Sequence, residues 1–342
     1  PVWLLLAPRD YLSSFMKIGV FAALIIGVFF VNPVIEFPAV VTEFVNGGGP
    51  VIAGPVWPFI SITIACGAIS GFHAFVGSGT TPKMLNKWSD IRPVGFGAML
   101  VESLVGVMAL IAATALHPAD YFAINSTPAV FSTLGMEVVN LPALEEEIGM
   151  DLEGRTGGAV TLAVGMSYIF AKIPWFYNLA SYFYQFVIMF EAVFILTAID
   201  AGTRVARYLI QDFFGNIYKP LKRVDWLPGS IFASALACIA WGYLLFSGDI
   251  GSIWVLFGVS NQLMASIGLV IGTTVILKIA DKRWYALTCL VPLVYLYATV
   301  NAGAFWMIRN VYWNTEASGY SMLNGILSII MLILGLVVVI FA

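Results

Sequence analysis

The side chains best suited to binding a solute or transferring a proton are concentrated in one apolar stretch, Pro55–Lys83, with the sequence PVWPFISITIACGAISGFHAFVGSGTTPK. The stretch is long enough to cross a bilayer, yet small, hydroxyl and imidazole side chains interrupt it. They are Gly67, Ser70, Gly71, His73, Gly77, Ser78, Gly79, Thr80 and Thr81. Irregular backbone at membrane depth persists only where protein or a water-filled cavity satisfies its polar groups. Because secondary transporters build solute and ion sites from discontinuous helices, the pattern predicts a broken membrane helix that binds a polar solute.

The histidine and the glycines of this stretch each allow two interpretations. His73 could relay protons or contact a substrate carboxylate, but a histidine held by structural hydrogen bonds fits as well. The pairs Gly67/Gly71 and Gly268/Gly272 have the spacing that allows close packing of membrane helices, and packing is their favoured role. The substrate-binding candidates of the stretch are Gly67, Ser70, Gly71, His73, Ser78, Thr80 and Thr81.

Two adjacent amides, Asn261 and Gln262, fall in the centre of another apolar run, WVLFGVSNQLMASIGL. Neighbouring positions on a helix point about 100° apart, since 3.6 residues make one turn. The two side chains therefore cannot serve the same face. One amide is predicted to satisfy unwound backbone and the other to line a cavity, and both join the substrate-binding candidates.

Two carboxylates lie inside apolar runs and are the candidates for proton coupling. Glu102 is close to the midpoint of its run, and Glu191 lies nearer the end that is predicted to be cytoplasmic. A carboxylate at the bilayer centre costs at least ~2.5 kcal/mol, so it must face the protein interior, pair with a cation or carry a proton. A neutral glutamic acid that only hydrogen-bonds to a neighbouring helix is the alternative. Lys172 either neutralises a carboxylate or extends to the outer interface.

Enzyme and metal signatures are missing from the sequence. GSGTTPK lacks the spacing of a phosphate-binding loop, and HExxH, CxxC and GxSxG do not occur. Cys66, Cys238 and Cys289 lie in apolar runs, which favours small buried thiols over disulfides or metal ligands. No catalytic residue, metal site or cofactor is therefore predicted; the coupling ion would be H⁺ or, since serine and threonine are plentiful, Na⁺.

The composition indicates an all-α, polytopic membrane protein. Of the 342 residues, 60% are hydrophobic and 10% charged, whereas soluble proteins have roughly 25% charged residues. No basic stripe with interleaved aromatic residues occurs, so nucleic acid is not an expected partner. About eight transmembrane helices are predicted: 15–35, 56–81, 94–116, 158–198, 229–247, 252–278, 284–307 and 320–342. The fourth contains Pro174 and is either one bent helix or a short half-helix leading into a full span; it is counted as one crossing.

Charge placement predicts the orientation. Most of the 16 Lys and Arg residues fall in loops on one side if the chain starts inside, as the positive-inside rule requires. The acidic segment 117–157 is then extracytoplasmic, either as a lid over a cavity or as a solvated loop. The cytoplasmic segment 200–227 is amphipathic; lying in the lipid interface is its expected role, and docking a small cytoplasmic protein partner is the alternative.

Three motifs in order, PVWLLLAPRDYLSSFMKIG, ACGAISGFHAFVGSGTTPK and FGVSNQLMA, resemble the carbon starvation protein A (CstA) family of bacterial inner-membrane transporters. The resemblance runs from residue 1 to about residue 310. It implies uptake of peptides or, in close relatives, pyruvate, with proton coupling suggested for the pyruvate members. It also implies a LeuT-like inverted-repeat core, similar to that of the amino acid–polyamine–organocation superfamily, in which 56–81 is the broken first helix of the second repeat.

Two departures from the family pattern limit what the resemblance implies. Family members carry a membrane portion before the PRDYL motif, so part of the binding site is expected from a portion that this sequence lacks. Gly77 stands where the family pattern leads us to expect a second serine.

The sequence thus predicts that residues 1–342 form a single transmembrane transporter domain, embedded in the lipid bilayer, which works by alternating access on a small-molecule substrate. A passive channel for small metabolites and a transporter-like membrane sensor are the alternatives. Channels need a continuous pore lined by charged rings or carbonyls, and the sequence shows no repeated ring motif.

Overall fold

Every regular element in the part of the chain that the structure describes is a helix. That structure is a computed structural model, and it describes residues 2–45, 47–51, 54–176, 179–247, 250–313 and 319–341. The α-helices are α1 Val2–Val31, α2 Val56–Ala68, α3 Gly71–Phe75, α4 Thr81–Met84, α5 Ala98–Thr114, α6 Pro118–Asn125, α7 Pro128–Thr133, α8 Leu141–Ile148, α9 Gly158–Ala171, α10 Ala180–Gly215, α11 Leu227–Ser247, α12 Ile250–Ile279, α13 Leu287–Met307 and α14 Gly319–Phe341. Short 3₁₀ turns lie at Thr42–Phe44, Trp88–Asp90, Lys219–Lys222 and Arg283–Ala286, and π-helical turns at Val76–Thr80, Pro93–Gly97 and Ile308–Tyr312.

Seven helical segments in the described ranges are long and apolar enough to cross a membrane. They are Pro8–Val31, Val56–Met84, Trp88–Thr114, Ala180–Gly215, Phe257–Ile279, Arg283–Tyr312 and Met322–Ile340. Two shorter apolar helices, Gly158–Ala171 and Leu227–Tyr243, accompany them. The predicted class, an all-α polytopic membrane protein, is confirmed.

The predicted break in the helix 56–81 is confirmed, and it lies at Ile69 and Ser70. Ile69 has φ −139° and ψ 80°, and its N–H closes α2 on the carbonyl of Ala65 at 2.7 Å. Ser70 is extended, with φ −87° and ψ 131°, and the helix resumes at Gly71. The π-helical turn at 76–80 then joins α3 to α4.

The over-long span predicted at 158–198 is two helices. α9 has 14 residues, about 21 Å at 1.5 Å per residue, and α10 has 36 residues, about 54 Å. Only α10 exceeds the ~30 Å hydrocarbon core. Of the two alternatives, the short half-helix followed by a full span is therefore the observed one.

The predicted cytoplasmic loop 200–227 needs correction over its first part. Residues 200–215 continue α10 as regular helix, and only the residues after Gly215 form turns, including Lys219–Lys222. In this part of α10, Gly202 lies against the ring of Phe72. The predicted roles of this segment, in the lipid interface or as a docking surface, stay predictions.

The chain divides into two compact units. The first comprises Pro1–Gly54 and Leu85–Ile199, and the second comprises Pro55–Met84 and Asp200–Ala342. The core of the first unit lies among α1, α5, α9, the N-terminal half of α10 and the short helices α6–α8. Its largest fully buried side chains include Leu24, Leu116, Ile124, Ile148, Leu152, Met166, Ile169 and Tyr184.

The acidic segment 117–157 is a folded part of the first unit. The buried carboxylate of Asp120 accepts hydrogen bonds from the backbone N–H groups of Val139 and Asn140, at 2.7 and 2.9 Å. Hydrogen bonds to a charged acceptor each contribute about 1.5–3 kcal/mol, so this side chain fixes the connection between α7 and α8. A merely solvated loop is therefore excluded for these residues, and the role of a lid stays a prediction.

The second unit is organised around α12. This helix packs on α13 and α14, and also on both parts of the broken helix, α2 and α3. A small apolar core includes Val259, Leu263, Leu296 and Val300. Because one helix contacts both sides of the break, α12 is positioned to hold the two pieces in register.

Candidate functional site

The break in the helix is bridged by the side chain of one residue, Asn261 of α12. Its Oδ1 accepts hydrogen bonds from the backbone N–H of Phe72 at 2.9 Å and from the hydroxyl of Ser70 at 3.2 Å. Its Nδ2 contacts Sγ of Cys66 in α2 at 3.5 Å. The first N–H groups of any helix lack intrahelical partners, and Asn261 satisfies one of them at the start of α3. This is the amide that the sequence predicted would satisfy unwound backbone.

The helices α3 and α12 are in tight contact at Gly71. A methyl group built on Gly71 would overlap the carbonyl oxygen of Asn261 and the Cβ atom of Met264. Any larger residue would therefore push α3 away from α12. By contrast, a methyl group on Gly67 would meet no atom within 4 Å. The packing role predicted for the pair therefore fits Gly71 and does not fit Gly67.

The second amide, Gln262, points into the interior of the second unit. It is fully buried, and neither its Nε2 nor its Oε1 has a hydrogen-bond partner in the described part of the chain. A buried polar group without a partner costs about 1–3 kcal/mol. Such a cost is usually offset by bound water, an ion or a ligand. Gln262 therefore remains a candidate for contact with a solute or coupling ion.

The other candidates of the broken helix differ in accessibility. The His73 side chain is exposed and stands edge-on to the ring of Phe72, with centroids 5.6 Å apart. Ser78 is also exposed, whereas Thr80 is buried and its hydroxyl donates to the carbonyl of Val76 at 3.1 Å. Thr81 is half-buried. Within the described residues no hydrogen bond holds the His73 ring, so the alternative of a structurally bonded histidine has no support.

The two predicted coupling carboxylates lie in the first unit, and the broken helix lies in the second. Glu102 is exposed on α5, and Glu191 is half-buried on α10. Neither forms an ion pair among the described residues. Lys172 is exposed at the end of α9, with Nζ 4.1 Å from the centroid of the Tyr168 ring. Pairing between Lys172 and a carboxylate is thus not observed.

A cavity of about 290 Å³ adjoins the second half of the broken helix. Its lining residues are Phe75, Ser78, Gly79, Lys83, Val205, Tyr208, Leu209, Gln211, Asp212, Lys222 and Val224. Of these, only Ser78 was a predicted site residue. The sequence feature that could have indicated the others is the spacing of Tyr208, Gln211 and Asp212. Gln211 and Asp212 follow Tyr208 by three and four residues, which puts these polar side chains on one face of a helix. Among the described residues, no group of His, Cys, Asp and Glu is clustered as a metal site.

Comparison with known proteins gives consistent matches along the chain. The family model described as carbon starvation protein CstA matches residues 1–302. The chain is 80% identical over 342 residues to the peptide transporter CstA of Bacillus subtilis strain 168, which covers all of this chain and 57% of that protein. It is 44% identical over 329 residues to the peptide transporter CstA of Escherichia coli K12, covering 89% of this chain and 47% of that protein.

A third relative is the pyruvate/proton symporter BtsT of Escherichia coli K12. The identity is 41% over 341 residues, which covers 86% of this chain and 47% of the symporter. The chain therefore spans about half the length of the curated relatives it matches. No solved structure matches.

Proposed function

The chain belongs to the carbon starvation protein CstA family, and we propose that it forms part of a proton-coupled secondary transporter that imports peptides or pyruvate by alternating access. With seven helical segments long enough to cross a bilayer in its described part, it is a multi-pass protein of the bacterial inner membrane. The relatives are a peptide transporter and a pyruvate/proton symporter by name, which supports both substrate classes. No enzymatic role is proposed.

The broken helix is the observation that carries this proposal. The first helical piece ends at Ala68 and the second begins at Gly71, and one side chain, Asn261, reaches both. Main-chain groups that leave a helix inside a membrane need partners. Asn261 supplies some of them, and we propose that a solute carboxylate or peptide group supplies others. In the inverted-repeat core that the family resemblance implies, this broken helix would open the second repeat.

The proposed roles of the charged and titratable residues follow from their chemistry. Glu102, and secondarily Glu191, carry the coupling proton, because a carboxylate within an apolar span exchanges between a charged and a neutral form as its access to water changes. His73 is exposed beside the break and contacts the substrate or relays the proton. Na⁺ is the alternative coupling ion, with buried hydroxyl and amide oxygens as its ligands.

Uptake into proteoliposomes tests the proposed function. The full-length protein is reconstituted, labelled dialanine or pyruvate is added, and a proton or sodium gradient is imposed. We expect saturable accumulation of one of these solutes that requires an inward proton gradient and collapses with an uncoupler. Flux that is unsaturable and indifferent to any gradient would indicate a passive channel instead.

The variant Glu102→Gln tests the coupling role. It preserves size and hydrogen bonding but cannot release a proton, so we expect proton-driven accumulation to be abolished while exchange of labelled for unlabelled solute continues. Both rates are measured in the same proteoliposomes. The matched control is Glu146→Gln, an exposed glutamate of α8, which should leave both rates unchanged. Equal loss of accumulation and exchange in Glu102→Gln would remove this residue from the coupling role.

A further inference from the structure

The cavity beside the second half of the broken helix is lined by both apolar and polar side chains. Phe75, Val205, Leu209 and Val224 contribute apolar surface. The polar side chains that line it are Ser78, Lys83, Tyr208, Gln211, Asp212 and Lys222. All of these residues belong to the second unit. The volume of about 290 Å³ is at the lower end of the ~300–1,000 Å³ found for ligand pockets, so the cavity suits a small solute.

The side-chain oxygen of Gln211, Oε1, accepts no hydrogen bond in the described part of the chain. The residue is 2% exposed, and its Nε2 donates to the hydroxyl of Ser230 at 3.4 Å. That hydroxyl gives its own hydrogen to the carbonyl of Val224 at 3.1 Å, which fixes the orientation of the amide. Oε1 of Gln211 consequently has no partner within the described ranges. Because an unmet buried acceptor costs about 1–3 kcal/mol, this oxygen favours a ligand that carries an N–H or O–H group.

Lys83 presents a cation that lacks an anionic partner. Its Nζ lies 4.6 Å from the centroid of the Tyr208 ring, and no carboxylate of the described chain lies within ion-pair distance of it. The second cation, Lys222, is shared: its Nζ is 4.0 Å from Oδ1 of Asp212 and 3.3 Å from Oδ1 of Asn216. The cavity thus holds two ammonium groups, one carboxylate and one unmet amide oxygen.

We propose that this cavity is a second binding site for a small zwitterion of the amino acid or dipeptide class, at the end of the broken helix that bears Lys83. The ligand carboxylate pairs with Lys83, and its ammonium or amide N–H groups donate to Oε1 of Gln211 and to Asp212. A 2-oxo acid such as pyruvate carries the carboxylate but no hydrogen-bond donor, and would leave Oε1 of Gln211 without a partner. The inference rests on the proposed transport function, and it assigns to this site a preference for peptides over 2-oxo acids.

Protection of a cysteine at the rim of the cavity tests the proposal. Val224, which lines the cavity and is 54% exposed, is replaced by cysteine in the full-length protein in phosphatidylcholine nanodiscs. Its modification by a maleimide on ice is measured at that residue by mass spectrometry. Dialanine at ten times its dissociation constant leaves about a tenth of the sites free, so we expect modification to slow about tenfold. Pyruvate at the same concentration should slow it much less.

Matched variants separate direct binding from general effects. In the Lys83→Gln and Gln211→Met backgrounds the protection by dialanine should be lost, and Lys83→Gln carries little risk to folding because the side chain is exposed. Lys219→Gln, a neighbouring lysine that does not line the cavity, should retain full protection. A cysteine at Ile217, which is 79% exposed and outside the cavity, should react at an unchanged rate with or without dialanine.

Three outcomes would overturn the proposal. Equal protection by pyruvate and dialanine would remove the preference for a zwitterion. Slower modification in phosphatidylglycerol nanodiscs without dialanine would make a lipid headgroup the occupant. Absence of protection in a protein that accumulates dialanine in proteoliposomes would refute the second site and leave the proposed function standing. Absence of any gradient-driven accumulation would instead refute the proposed function.

Discussion

At the scale of single residues, Asn261 is the side chain on which the geometry of the break depends. Replacing it by leucine removes the acceptor for the N–H of Phe72 and the hydroxyl of Ser70. We expect Asn261→Leu to destabilise the protein by about 1–3 kcal/mol, visible as a lower midpoint of thermal unfolding in detergent. Asn261→Asp keeps an acceptor oxygen and should therefore lose less stability than Asn261→Leu.

The control for this prediction is Asn310→Leu. Asn310 is exposed and only donates to the carbonyl of Trp306 within its own helical segment. Its replacement should change stability by no more than about 0.5 kcal/mol. Equal losses at both positions would mean that the bridge across the break contributes nothing particular to stability.

The sequence predicted that the two amides have different roles but not which amide has which role. Adjacent positions on a helix must face different ways, so the spacing predicted one amide at the unwound backbone and one lining a cavity. Asn261 bonds the backbone at the break, whereas Gln262 is buried in the second unit and does not line the cavity beside the broken helix. Which of the two meets the break depends on how α12 is rotated against α3, and Asn261 and Ser70 are 191 residues apart. Such a rotation is set by packing at Gly71 and Met264, which no local pattern encodes.

At the scale of secondary-structure elements, the contact between α3 and α12 depends on one glycine. Gly71→Ala forces a methyl group against the backbone of Asn261, and overpacking of this kind costs about 1–3 kcal/mol. Gly67→Ala is the matched control, because its methyl group meets no atom within 4 Å and alanine favours helix by about 1 kcal/mol over glycine. Thermal unfolding should show Gly71→Ala less stable than the parent and Gly67→Ala equal or more stable. Similar midpoints for both variants would contradict a close approach at Gly71.

Element boundaries were predicted well where local chemistry determines them. The glycine and hydroxyl run predicted an interruption within Gly67–Thr81, since these residues weaken a helix wherever they stand, and the structure has it at Ile69 and Ser70. The continuation of α10 to Gly215 was not predicted, and the sequence left two alternatives open both for 158–198 and for 117–157. Contacts that apolar periodicity does not record accompany the observed outcome in the last two cases: the rings of Phe170 and Phe183 stack with centroids 4.7 Å apart, and the carboxylate of Asp120 accepts a hydrogen bond from the N–H of Val139.

At the scale of the whole molecule, the number of membrane crossings between segments 117–157 and 200–227 determines the predicted orientation. α9 is about 21 Å long and falls short of the ~30 Å core, while α10, at about 54 Å, is long enough to span it. One crossing puts the two segments on opposite sides, as the distribution of Lys and Arg predicts. Single cysteines are introduced at Glu137 and Ile217, which are both exposed. Their reaction with a membrane-impermeant maleimide shows on which side of the membrane each segment lies.

We expect the cysteine at Glu137 to react in spheroplasts and the cysteine at Ile217 to react only in inside-out vesicles. Reaction of both from the same side would mean that α9 crosses the membrane separately, and the orientation of every later helix would then reverse. In that case Tyr208 and Gln211 would lie on the opposite side of the membrane from Lys83, although all three residues line one cavity. The expected result instead makes this cavity a cytoplasmic one, on the side to which an importer releases its substrate.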